Sequence, residues 1–109
     1  MNMKKYDLRH LSLREKQSVF VRMVGDLIVY AYQGGYEFTF GDAWAHDGHK
    51  RGSNHYIKLA IDLNLFENGE YLTGNEGHDT LHDYWDSLGG APKIEGDENH
   101  YSVEHEGSW

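Results

Sequence analysis

Residues 60–66 read Ala60-Ile61-Asp62-Leu63-Asn64-Leu65-Phe66, and their period of two decides the fold class. Ile61, Leu63 and Leu65 fall on one face of a strand, while Ala60, Asp62 and Asn64 fall on the other. Glu67-Asn68-Gly69-Glu70 follows with the Asn-Gly hairpin signal, so residues 71–73 are expected to return antiparallel. Upstream, Tyr36-Glu37-Phe38-Thr39-Phe40 alternates in the same way and reads as another strand. Near the C-terminus Tyr101 and Val103 alternate with polar neighbours, which predicts a last strand over residues 100–106.

Two helices frame these strands. Ser12-Leu13-Arg14-Glu15 has the capping-box form. Leu13, Phe20, Val24, Leu27 and Ala31 then recur at helical spacing, with Val19, Met23, Ile28 and Tyr30 widening the face. The pattern predicts one long helix over about residues 12–33, buried on more than half its circumference. Arg22 and Asp26 are expected to pair on its polar side, and Gly34-Gly35 to stop it with left-handed backbone. Leu81, Tyr84, Trp85 and Leu88 mark a shorter amphipathic helix ended by Gly89-Gly90. The expected architecture is α+β: a small antiparallel sheet packed against one long N-terminal helix and a short second helix.

Composition narrows the function. A chain of 109 residues is enough for one domain, so 1–109 is expected to form a single unit without linkers or repeats. The formal net charge of −8 lacks the basic surface that phosphate contacts require, so no nucleic-acid partner is expected. The most apolar stretch, residues 19–32, is interrupted by Arg22, Gly25 and Asp26, so no membrane insertion is expected either. The lysines at positions 4 and 5 are not followed by a signal-peptide core. Cysteine is absent and histidine numbers 8, which leaves His with Asp or Glu as the candidate transition-metal ligands.

Asp62 alone reads as a carboxylate on a solvated sheet face. His55 lies seven residues earlier, and an odd spacing along one strand would put the two on opposite faces. For both to converge, His55 must precede the strand, on a turn.

Ser53-Asn54-His55-Tyr56-Ile57-Lys58-Leu59-Ala60-Ile61-Asp62 resembles the S-x-H-x-x-G-x-A-x-D signature of zinc peptidases that cut peptidoglycan stem peptides. That family includes D-alanyl-D-alanine carboxypeptidases, vancomycin-resistance D,D-dipeptidases and phage L-alanyl-D-glutamate endolysins. Its second motif, an acidic residue three before a histidine followed by an aromatic, has a counterpart in Asp97-Glu98-Asn99-His100-Tyr101. The resemblance implies a Hedgehog/D,D-peptidase-like fold, Zn²⁺ held by His55, Asp62 and His100, and Asp97 as catalytic acid/base. Two imidazoles and one carboxylate would leave an open position on the ion, as catalytic zinc requires. It further implies a peptidoglycan hydrolase of the endolysin or carboxypeptidase type, monomeric and without a separate wall-binding domain. Such a bacteriolytic phage enzyme would be made in the host bacterial cytoplasm and act on the cell wall after release. The alternative is a non-catalytic zinc-containing binding module of the same fold.

The chain departs from the family at two points. Lys58 stands where the signature has glycine, and residues 41–45 lack the arginine that many members use to bind substrate. Lys50 and Arg51 are the candidate replacements for that charge, with Ser53 as a further candidate substrate contact. The remaining histidines read more plainly. His78 and His82 are spaced i,i+4, but the glutamate of the zinc-helix motif is missing after His78, so a solvated helix face is expected. His46 and His49 are expected to be solvated loop residues, with His49 the best fourth ligand were the metal purely structural. His105 is expected to be structural or exposed, and nothing is assigned to His10.

Overall fold

The computed structural model describes residues 3–109, so residues 1 and 2 of the expected unit lie outside it. The capping box forms as the sequence requires. Ser12 Oγ accepts from the Glu15 N–H, and Glu15 Oε1 accepts from the Ser12 N–H, opening helix α1 (Leu13–Gln33). Buried on α1 are Lys16, Phe20, Met23, Val24, Leu27 and Ala31, a narrower stripe than expected, and Val21, Val29 and Tyr32 face solvent. The anticipated Arg22–Asp26 pair does not form. Asp26 instead accepts from Lys5 Nζ at 3.0 Å and Tyr6 Oη at 2.8 Å, because the N-terminal segment crosses the helix there. At the C-terminus only Gly35 takes the left-handed conformation (φ 89°), and Gly34 stays at φ −86°.

Strands β1 (Tyr36–Phe40), β2 (Ala60–Glu67), β3 (Glu70–Leu72) and β4 (His100–Ser102) form one antiparallel sheet centred on β2. The β2–β3 hairpin turns through Asn68 (φ 52°) and Gly69 (φ 78°), the two positive values that the Asn-Gly signal implies. β3 comes one residue earlier than expected. β4 stops at Ser102 rather than extending to 106, because β2 begins at Ala60 and Ala60↔Ser102 is the last available pair. Past that point Val103 bonds to the Leu59 carbonyl, and the chain folds into a turn bridging His105 and Ser108.

The core lies between the sheet and the two helices. Ile61, Leu63 and Leu65 of β2 and Tyr101 of β4 pack with Phe20, Met23 and Leu27 of α1. Leu81, Trp85 and Leu88 of α2 (His78–Leu88) complete the cluster. The alternation read from residues 60–66 thus sorts apolar side chains inward and leaves Asp62 on the opposite face. Lys16, buried in α1, is satisfied by donating to the Glu104 carbonyl at 3.1 Å and lies 3.2 Å from His105 Nδ1, which makes half-buried His105 part of the structure. No helix among the described residues is long and apolar enough to cross a membrane.

Candidate metal centre

His55 lies on a 3₁₀ turn (Asn54–Ile57) that precedes β2, as the odd spacing to Asp62 demands. Ser53 caps this turn, its hydroxyl accepting from the His55 N–H at 3.3 Å. The residue is buried, so its hydroxyl is a capping group. Asn54 donates to the carbonyls of Val103 and Ser108 and ties the turn to the C-terminal segment. Lys58 ends the turn in the left-handed conformation (φ 61°, ψ 36°), a backbone state that glycine adopts without penalty. The turn then brings His55 Nε2 to 3.2 Å from Asp62 Oδ1.

The sheet supplies the next residue. Asp62 and His100 are direct partners across β2 and β4. The backbone of Asp62 is bonded on its other side, accepting from Gly41 N–H and donating to the Asp42 carbonyl. Asp62↔His100 is therefore a non-hydrogen-bonded pair, the kind whose side chains stand closest in an antiparallel ladder. His100 Nδ1 lies 3.8 Å from Asp62 Oδ1, and the His55 and His100 ring centroids are 5.1 Å apart. Asp97 joins them through a tight turn in which the His100 N–H bonds to the Asp97 carbonyl. The acid-x-x-His spacing is thus the span of one turn, and it sets Asp97 Oδ2 3.7 Å from His100 Nδ1.

Burial tunes these groups. Burial, and then the neighbouring His55, push the His100 imidazole down to about 4 despite the opposing charge of Asp62. The ring therefore stays neutral and keeps a lone pair available at neutral pH. The Asp97 carboxyl is raised above its ordinary value, first by burial and then by the negative charge of Asp62. Its side chain remains half exposed, so it also reaches solvent.

His55 Nε2 stands at ligand spacing from Asp62 Oδ1, and His100 Nδ1 stands wider. Donor atoms about 2.0–2.2 Å from one tetrahedral ion stand roughly 3.3 Å apart, and the observed separations to Asp62 Oδ1 are 3.2 and 3.8 Å. The far nitrogens, His55 Nδ1 and His100 Nε2, are buried without hydrogen-bond partners, so the near nitrogens carry the polar contacts, His55 toward Asp62 and His100 toward both Asp62 and Asp97. Among the described residues, the group that could hold a metal ion is His49, His55 and Asp62, whose candidate ligand atoms all lie within 4.8 Å of one another. His100 stands beside this group rather than within it.

His49 is not the solvated loop residue the sequence suggested. Its ring stacks on His55 at 4.0 Å, and Nε2 lies 2.9 Å from Asp42 Oδ2. Its spacing in sequence gives no sign of this, because the placement depends on how the 41–54 loop folds back. His78 and His82 also differ from expectation, since both are buried. His78 Nδ1 pairs with Tyr101 Oη at 2.7 Å, while His82 Nε2 donates to the Glu98 carbonyl at 2.8 Å and stacks on Tyr101. Their sequence signal was present: both share a helix face with Leu81, Trp85 and Leu88. Glu98, the other carboxylate near His100 in sequence, turns its Oε2 to the Gly96 N–H. Lys50 and Arg51 line a cavity of about 380 Å³ together with Ile94 and Trp109. A larger cavity, about 600 Å³, lies between the N-terminal segment and Gly89-Gly90 and shares no lining residue with the histidine cluster.

No protein-family model, curated protein or solved structure matches this chain.

Proposed function

We propose that this chain is a zinc metallopeptidase of the Hedgehog/D,D-peptidase-like fold that hydrolyses peptidoglycan stem peptides. The reading is supported above all by the meeting of His55, Asp62 and His100 from a turn and two strands, with Asp97 one turn away. In this proposal those three residues hold the ion. Bound zinc acidifies a water molecule and polarises a peptide carbonyl. Asp97 Oδ2 accepts the proton released at the attacking water and returns it to the leaving amine nitrogen. Its raised pKa suits a group that must carry a proton between those two points. Lys50 and Arg51, beside their cavity, offer the positive charge that a stem peptide's carboxylates require.

Cleavage between L-alanine and D-glutamate is the favoured reaction, and release of terminal D-alanine is the other subtype. The binding-module reading of the same fold has one observation in its favour: His49 offers a further protein donor beside His55 and Asp62. The decisive experiment is incubation of the protein with purified peptidoglycan, with and without a chelator, followed by mass analysis of the new peptide ends. Chelator-sensitive release of peptides with new amino termini supports the peptidase. Intact peptidoglycan in the presence of stoichiometric zinc supports the binding module.

A further inference from the structure

We infer that His49 is an additional metal ligand, borne on the 41–54 loop, which closes the centre at rest and must withdraw before a peptide enters. The inference rests on the metal-site reading above and specifies how access to that site is controlled. The first ground is proximity: a His49 ring nitrogen shares the 4.8 Å group with His55 and Asp62. The second is orientation. Asp42 Oδ2 sits 2.9 Å from His49 Nε2, and an imidazole that gives one N–H to a carboxylate keeps its other nitrogen for a metal. This carboxylate–histidine pairing is the usual support of a ligating histidine, and neither His55 nor His100 has it on its far nitrogen.

The third ground is how the loop is attached. The Tyr56 hydroxyl donates to the His49 carbonyl and accepts from the His49 N–H at 2.8 Å. Tyr56 directly follows His55, so the two imidazoles are registered to each other through one side chain. On either side, Gly48 (φ 91°) and Gly52 (φ 82°) take left-handed backbone with nothing within 4 Å of a would-be Cβ. The segment between them is held by the Tyr56 hydroxyl, the Asp42 carboxylate and a Ser53 N–H donating to the Lys50 carbonyl, and it is bounded by two unobstructed glycines that can serve as pivots. With His49 in place and His100 drawn in from its 3.8 Å distance to Asp62, three imidazoles and a carboxylate would fill a four-coordinate ion, as in a structural site. With His49 withdrawn, the position needed for catalysis opens. Lys50 and Arg51 travel with the segment, so a peptide carboxylate that draws them outward also draws His49 off the ion.

The test uses cobalt(II)-loaded full-length protein, native and His49→Ala, with azide as the probe of an open coordination position. Visible absorption during the azide titration should change in His49→Ala at concentrations that leave the native spectrum unaltered. Losing only the outer hydrogen-bond partner of a ligand costs about 10–100-fold in metal affinity, so losing the ligand itself should weaken zinc binding at least that much. His49→Gln and far-UV circular dichroism guard against a folding defect, and Asp42→Asn should weaken zinc binding in the same direction. Equal zinc affinity and equal azide response in native and His49→Ala proteins would overturn the inference. If His55→Ala meanwhile loses its metal, the metal-site reading stands and only the loop ligand falls. If native protein takes up no metal at all, both fall together.

Discussion

Gly41 lies so close to Asp62 that a Cβ at position 41 would stand 2.9 Å from the Asp62 Cβ and 3.2 Å from its carbonyl oxygen. Gly41 and Asp42 together oppose the single residue Asp62, the two-against-one spacing of a β-bulge, a device often found where a sheet aims a functional side chain. Gly41→Ala should therefore push Asp62 out of line. Overpacking of this kind costs about 1–3 kcal/mol. Chemical denaturation should register that loss, and a zinc titration should show weaker binding. Unchanged stability and affinity would mean that the bulge yields at no cost.

Replacing Asp97 with Asn keeps the shape of the side chain and removes its ability to carry a proton. Zinc content should stay near that of the native protein, because His55, Asp62 and His100 are untouched. Peptidoglycan cleavage should fall by about 10²–10⁴, the range for a positioned general acid/base. Equal rates in the two proteins would remove Asp97 from the mechanism. Glu98 is a poor substitute, since its carboxylate is engaged with the Gly96 N–H.

Zinc should stabilise the fold in proportion to its binding. At free zinc a thousandfold above Kd the gain is about 4 kcal/mol, readable as a rise in Tm. His55→Ala and Asp62→Ala should abolish the rise. A rise of equal size in His55→Ala would place the stabilising ion elsewhere.

The histidines of α2 make stability depend on pH. Burial, followed by the charge of His82, lowers His78 from 6.5 to about 4, and burial also lowers His82. Between about pH 4 and 6.5 the unfolded chain therefore binds more protons than the folded one, so stability rises with pH across that window. Acidification from 6.5 should progressively destabilise the protein. Urea melts at pH 7 and pH 5 should show the difference, and His78→Asn should reduce it without abolishing it, because His82 and His100 shift in the same direction. A His78→Asn protein with the native pH slope would count against this account.

What the sequence displayed clearly were the periodic elements. The two-residue period of residues 60–66 and the capping box at Ser12 are local signals, and they reappear in β2 and α1. The length of β4 was not legible, because it depends on where β2 begins rather than on the alternation of Tyr101 and Val103. His55 could be placed on a turn from its parity with Asp62 once the two were required to converge, and the turn is present. His49 could not be placed, since a loop histidine is located by Tyr56 and Asp42 only after the chain has folded. His78 and His82 were legible in principle. The missing zinc-helix motif bears only on metal binding, whereas their position on the apolar face of α2 buries them against Tyr101 without a metal.

The pairing of Asp62 with His100 also governs when the centre can come into being. β2 can fold against β1 and β3 from residues contributed by the middle of the chain, but the partner of Asp62 lies in β4. While that segment is still inside the ribosome, a nascent chain has its core helix and three strands yet neither His100 nor Asp97. Synthesis itself thus sets the order in which the strands can meet. The Asp62↔His100 pair is therefore the last cross-strand contact of the sheet to become possible, and a product truncated before β4 keeps His49, His55 and Asp62 but lacks the strand that sets His100 and Asp97 beside them.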